Sequence, residues 1–129
     1  SEKGFKMFVA YGQSKLANIL FTKKLSSLYE KEGLTTNCLH PGFVSTSLGA
    51  QNKNLAFFAR LIRWISPLIA KPSDKGAETS IYLCSSEKIS RISGEYFIDC
   101  KKARVTKGAQ SKEDADKLWK ISSELTGLN

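Results

Sequence analysis

The sequence predicts an α/β fold built on a parallel sheet. Two observations carry this. Short β-compatible runs alternate with helical patterns in the order helix, strand, helix, helix, strand, helix. Each strand-like run is also bounded by turn residues, as a strand between helices should be. Two strands are too few for such a sheet, so the pattern reads as part of a larger one. The 129 residues suit one domain, with no internal repeat or low-complexity stretch. With 41% hydrophobic and 25% charged residues, the composition is that of a globular protein.

The elements follow in order. From residue 8 to about 31, Leu16, Ile19, Leu20, Leu25 and Leu28 recur at helical steps, and Gly33 stands where a helix stops. LTTNCLH, 34–40, reads as a buried strand that Pro41-Gly42 turns into a loop. Residues 54–70, NLAFFARLIRWISPLIA, are the most apolar stretch. They are too short and too charged to span a bilayer, and fit an amphipathic helix with Phe57, Phe58, Leu61, Trp64, Ile65 and Leu68 broadly on one side. Ser73 caps a helix over 73–85 that continues through Ala77, Ile81 and Leu83-Cys84. GEYFID, 94–99, alternates like a strand. SKED opens a last helix, 111–126, with Ser111 as cap and acids in the first turn. That helix is expected to bury Leu118, Trp119, Ile121 and Leu125.

The formal charge is +8. A basic surface attracts anions. Yet Lys and Arg are scattered, apart from Lys101, Lys102, Arg104 and Lys107, and no nucleic-acid-binding motif occurs, so nucleic acid is not an expected partner. Cys38, Cys84 and Cys100 are odd in number and far apart. They read as reduced thiols of an intracellular protein, with Cys38 and Cys84 mostly buried. His40 is the single histidine and no CxxC accompanies it, so no metal site is expected.

Tyr11 and Lys15 are the residues that suggest chemistry. Four apart on a helix, they share one face. A tyrosine ordinarily titrates near ~10, and an ammonium beside it favours the phenolate. Such a phenol can protonate a carbonyl oxygen as hydride arrives, or accept the proton in reverse. The hydride itself requires a cofactor. Alone, a Tyr-x-x-x-Lys spacing occurs in many ordinary helices.

The context is more specific. YGQSKLAN resembles the active-site motif of the short-chain dehydrogenase/reductases. HPGFVSTSL is similar to that family's loop after the sixth strand, KGAETSIYL to the helix before the last strand, and SGEYFIDC to that strand. KLWKISSELTGL resembles the C-terminal helix of the retinol dehydrogenase-like branch. The resemblance covers nearly the whole chain in order. It implies the C-terminal part of a Rossmann-type doubly wound parallel sheet, with residues 1–129 as one partial catalytic domain. It also implies an NAD(P)-dependent oxidoreductase acting on a hydrophobic alcohol or carbonyl such as a retinoid, steroid or lipid.

In that resemblance Tyr11 is the acid–base. Lys15 supports it and bonds the nicotinamide ribose. Pro41 and Gly42 shape the loop against the nicotinamide, where a close backbone approach suits glycine. Val44 offers backbone to the carboxamide and Thr46 a hydroxyl. Read without the family, Pro41-Gly42 is an ordinary turn and Thr46 a loop hydroxyl. His40 reads as packed or hydrogen-bonded, and Phe43 either touches substrate or fills space. Phe57, Phe58 and Leu61 fall in the family's substrate-binding insertion. Their helix serves as substrate lid, membrane-surface contact or core cover. The resemblance also implies a homo-oligomer, a slight preference for NADP over NAD, and an intracellular site, with association to endoplasmic-reticulum or mitochondrial membrane open.

The 129 residues depart from the family in lacking the TGxxxGxG turn, the Asn-Asn-Ala-Gly motif and the serine of the Ser-Tyr-Lys group. The nucleotide-binding half is therefore expected to be missing, and this chain alone to be inactive and poorly folded. The competing readings are a non-catalytic truncated interaction protein and a peripheral membrane-binding module.

Overall fold

A computed structural model describes residues 7–42 and 73–128. Phe43, Val44, Thr46 and the 54–70 segment with Phe57, Phe58 and Leu61 lie outside the described residues.

Helix α1 runs Met7–Tyr29 and tightens into a 3-10 turn at Glu30–Glu32. Gly33, at φ +84°, donates its N–H to the Glu30 carbonyl, and Leu34 N–H reaches back to the Tyr29 carbonyl. A left-handed residue is needed for this closure, and glycine adopts it without a Cβ penalty.

Strand β1 is Cys38–His40, shorter than the 34–40 expected. Thr36 and Asn37 are spent elsewhere. Thr36 N–H donates to Ser93 Oγ at 3.0 Å, and Thr36 carbonyl accepts from Gly94 N–H at 2.7 Å. The Asn37 amide donates to the Ile92 carbonyl at 2.6 Å and accepts from Glu95 N–H at 3.1 Å. These bonds lead the chain into strand β2, Tyr96–Ile98, which pairs with β1 in parallel, Leu39 opposite Phe97. The parallel pairing matches the sequence reading. Full burial of β1 does not: Cys38 and Leu39 are half-buried and His40 is exposed.

A third strand was not expected. Asp99 and Cys100, at φ +51° and +60°, form a two-residue turn into β3, Lys101–Lys102, antiparallel to β2. Positive φ at both central residues is what a tight type I′ hairpin demands. Among the described residues the sheet order is β1-β2-β3. The lysines of the basic cluster thus occupy a sheet edge, where their charge discourages further pairing. Lys102 also pairs with Glu95 at 2.6 Å.

Helix α2, Ser73–Ser85, begins at the residue expected to cap it. It docks through Gly76, Thr79, Tyr82 and Leu83, which share one face. The buried Thr79 hydroxyl accepts the Cys100 N–H at 3.2 Å, and Tyr82 leans on Phe97 with ring centroids 6.4 Å apart. Ile81 and Cys84 lie off that face and are exposed, which corrects the expectation of a buried Cys84.

Helix α3, Lys112–Thr126, is capped as read: Ser111 Oγ accepts from Asp114 N–H at 3.1 Å. It lies along α1, where Phe21 stacks on Trp119 at 5.3 Å and Lys24 meets Asp116 at 2.7 Å. The covered side runs through Ala115, Trp119 and Ser122. Ile121 and Leu125 fall outside it and are exposed, contrary to the expected burial. Leu20, Ile89, Phe97, Ala109 and Ala115 form the apolar core among the described residues.

Candidate functional site

At about 100° per residue, positions 11, 15, 18, 22 and 26 of α1 fall within about 80° of one another. The lower part of this stripe faces the sheet. Ser26 Oγ is 2.8 Å from Ser93 Oγ, and Lys23 Nζ donates to the Gly94 carbonyl at 3.3 Å. The Thr22 hydroxyl donates to the Asn18 carbonyl at 2.9 Å and lies near the Cys38 thiol, which donates to the Glu95 carbonyl at 3.7 Å. Burial pushes that thiol up from its ordinary value, more than its neighbours Thr22 and Lys23 lower it.

Ser26 therefore sits level with Ser93-Gly94, before β2, and Thr22 level with Cys38. Going backward along α1 is going forward along β1. From Thr22 to Tyr11 the helix rises about 16 Å. From Cys38 to His40 the strand rises about 7 Å before the chain turns at Pro41-Gly42. Tyr11, Lys15 and the Pro41-Gly42 loop thus share one end of the unit, beyond the carboxyl end of β1. Ligands of parallel α/β sheets bind at that end.

Tyr11 is 56% exposed, and Lys15 is exposed beside it. The Lys15 ammonium lies 5.2 Å from the centroid of the Tyr11 ring, within cation–π range. The ammonium thus sits over the ring face. Ser14, the motif's serine, donates back to the Tyr11 carbonyl at 2.7 Å and so serves the helix. Gly42 has φ +82° and donates its N–H to His40 Nδ1 at 2.8 Å. His40 is a hydrogen-bonded residue that shapes the loop. Conformation is the visible reason for glycine at position 42, since other residues are strained at that φ.

The structure brings Tyr11 and Lys15 into contact and sets Pro41 and Gly42 at the same end. Val44, Thr46, Phe43, Phe57, Phe58 and Leu61 lie outside the described residues. The sequence reading missed the polar seam of Ser26, Asn37, Ser93 and Lys23. The Ser93-Gly94 pair before β2 was its one available signal. A cleft of about 500 Å³ lined by Thr35, Asn37, Leu83, Ser86 and Ile89 opens at the other end of β1, away from Tyr11. Among the described residues no metal-ligating cluster occurs, and no helix is long and apolar enough to cross a membrane.

Residues 1–55 match the family model described as short chain dehydrogenase. The chain belongs to the short-chain dehydrogenase/reductase family and is retinol dehydrogenase-like. It is 41% identical to human retinol dehydrogenase 14 over 128 residues, which is 99% of this chain and 38% of that protein. It is 38% identical to human retinol dehydrogenase 12, over 99% of this chain and 39% of that protein. Mouse retinol dehydrogenase 13 is 37% identical, over 98% and 38%. The chain spans about two fifths of the length of these relatives.

Proposed function

We propose that these residues serve an NAD(P)-dependent oxidoreductase that interconverts an alcohol and a carbonyl on a hydrophobic substrate. The observation that carries the reading is the Tyr11–Lys15 pair. It is one helical turn long and solvent-facing, on the part of α1 that runs toward the carboxyl end of a parallel strand, the end at which the Pro41-Gly42 loop leaves. The donor set fits a nicotinamide nucleotide: a phenol, an ammonium and a glycine turn at one end of a parallel pair.

Tyr11, Lys15, Pro41, Gly42, Val44 and Thr46 would hold the nucleotide, with NADP slightly favoured over NAD. When bound, it supplies or accepts the hydride. Tyr11 gives its phenolic proton to the carbonyl oxygen, or takes it from the alcohol in reverse. The Lys15 ammonium compensates the negative charge left on the phenol oxygen. Phe43, Phe57, Phe58 and Leu61 would offer an apolar wall to a retinoid, steroid or lipid. Homo-oligomerisation and contact with a membrane surface belong to the same reading. The 129 residues contain no TGxxxGxG turn, so this chain by itself is expected not to turn over.

The test is Tyr11→Phe in the full polypeptide that carries these residues. The ring stays for Lys15 and the proton is lost. Turnover is expected to fall by about 10²–10⁴ with nucleotide binding kept. Normal turnover would remove the assignment.

A further inference from the structure

We infer that Ser26 is a positioning residue: its hydroxyl pair with Ser93, closed over Gly94, sets the register of α1 on the sheet and thereby the place of Tyr11 relative to the Pro41-Gly42 loop. This rests on the reading of Tyr11 as the acid–base.

The argument starts from the face α1 turns to the sheet. That face is polar where an apolar one is usual. Thr22 and Ser26 are 6% and 5% exposed. Apolar contact is non-directional and tolerates sliding. A hydrogen bond depends steeply on distance and angle. Buried hydroxyls must also find partners. Thr22 satisfies its hydroxyl within the helix, on the Asn18 carbonyl at 2.9 Å, whereas Ser26 finds its partner outside it. Ser26 Oγ is 2.8 Å from Ser93 Oγ, which also accepts the Thr36 N–H at 3.0 Å. Lys23 adds its bond to the Gly94 carbonyl at 3.3 Å. A shift of one turn along α1 would leave these groups without partners.

Gly94 fixes the approach distance as well as the register. It has φ +73°, and a Cβ there would lie 3.1 Å from Ser26 Oγ and 3.3 Å from Ser26 Cβ. The helix is thus closer to this turn than a Cβ at position 94 would comfortably fit. From here the stripe Ser26, Thr22, Asn18, Lys15, Tyr11 runs straight to the chemistry. A tilt or slide at Ser26 moves Tyr11 against β1. Tyr11 and Lys15 move together, because both ride on α1.

That last point gives the test. In the full polypeptide, Ser26→Ala is expected to lower kcat about ten- to a hundredfold, the scale of an ångström-level misplacement. One nucleotide should still bind per folded chain, and the pH dependence of kcat should not move, since the Tyr11–Lys15 pair stays intact. Thr79→Val is the matched control. It breaks a buried bond between α2 and the hairpin, so it should lower the melting temperature similarly while leaving kcat unchanged. If Ser26→Ala does not fold, Ser93→Ala decides by the same criteria. Wild-type kcat in the serine variants, an equal kcat loss in Thr79→Val, or a displaced pH profile overturns the inference. Should Tyr11→Phe turn over normally, the acid–base reading is what fails. Should Tyr11→Phe be dead and Ser26→Ala normal, this inference alone fails.

Discussion

The two halves of α1 are built differently. From Ile19 to Ser26 the helix is held on two sides. Lys23 and Ser26 bond to the turn before β2, Thr22 is buried, and Phe21 and Lys24 engage α3. From Val9 to Lys15 the described side chains are mostly exposed, Val9 at 52% and Tyr11 at 56%. One half supplies position and the other presents chemistry. A rigid element clamped at one end can carry a reactive pair into solvent without burying it, which keeps the phenol reachable by a substrate.

The sharpest way to break this comparison is to empty the clamped half. Leu20 is 6% exposed, and Leu20→Ala is expected to cost about 2–4 kcal/mol in denaturant unfolding, by lost transfer energy and the cavity left. Val9→Ala on the open half should stay within about 0.5 kcal/mol. Equal losses would mean that the halves do not differ as described. Phe21→Ala removes the stack on Trp119 and should cost about 1 kcal/mol, a smaller loss because Phe21 is partly exposed.

The smallest effect is in acid. The hydrogen bond from Lys24 holds the Asp116 carboxyl below its ordinary value of 3.8. A carboxylate lowered on folding stabilises the native state at pH above that ordinary value. The contribution is lost as pH falls through the lowered one. Wild type and Asp116→Asn should therefore differ slightly near neutrality and converge in acid. A difference that persists or grows in acid would assign the effect to something other than this ion pair.

Much of this frame is legible in the sequence. The long apolar periodicity with Gly33 at its end marks α1, and Ser111 before its acids marks the start of α3. The i, i+4 spacing of Tyr11 and Lys15 needs nothing beyond helical geometry. The misreadings have physical causes. β3 is two lysines, too short for a periodicity, and it is reached through Asp99-Cys100, where the turn signal is usually a glycine. Residue type says that Cys84, Ile121 and Leu125 prefer burial, but only the docked partner decides which helix face is covered. The seam of α1 on the sheet is hydroxyl-rich, so a search for hydrophobic stripes passes over it. Gly42 was expected for close approach, and its positive φ supplies a conformational reason.

The hairpin that ends in Lys101-Lys102 gives the sheet a polarity. On its side, two charged residues after a tight reversal close the ladder to newcomers. On the other side, the backbone of Cys38–His40 has β2 as its partner along one edge and no strand among the described residues along the other. Any further strand that joins this sheet enters beside β1, next to the loop that carries Pro41 and Gly42. Growth in that direction extends the sheet on the side of that loop, and growth from the lysine edge would not.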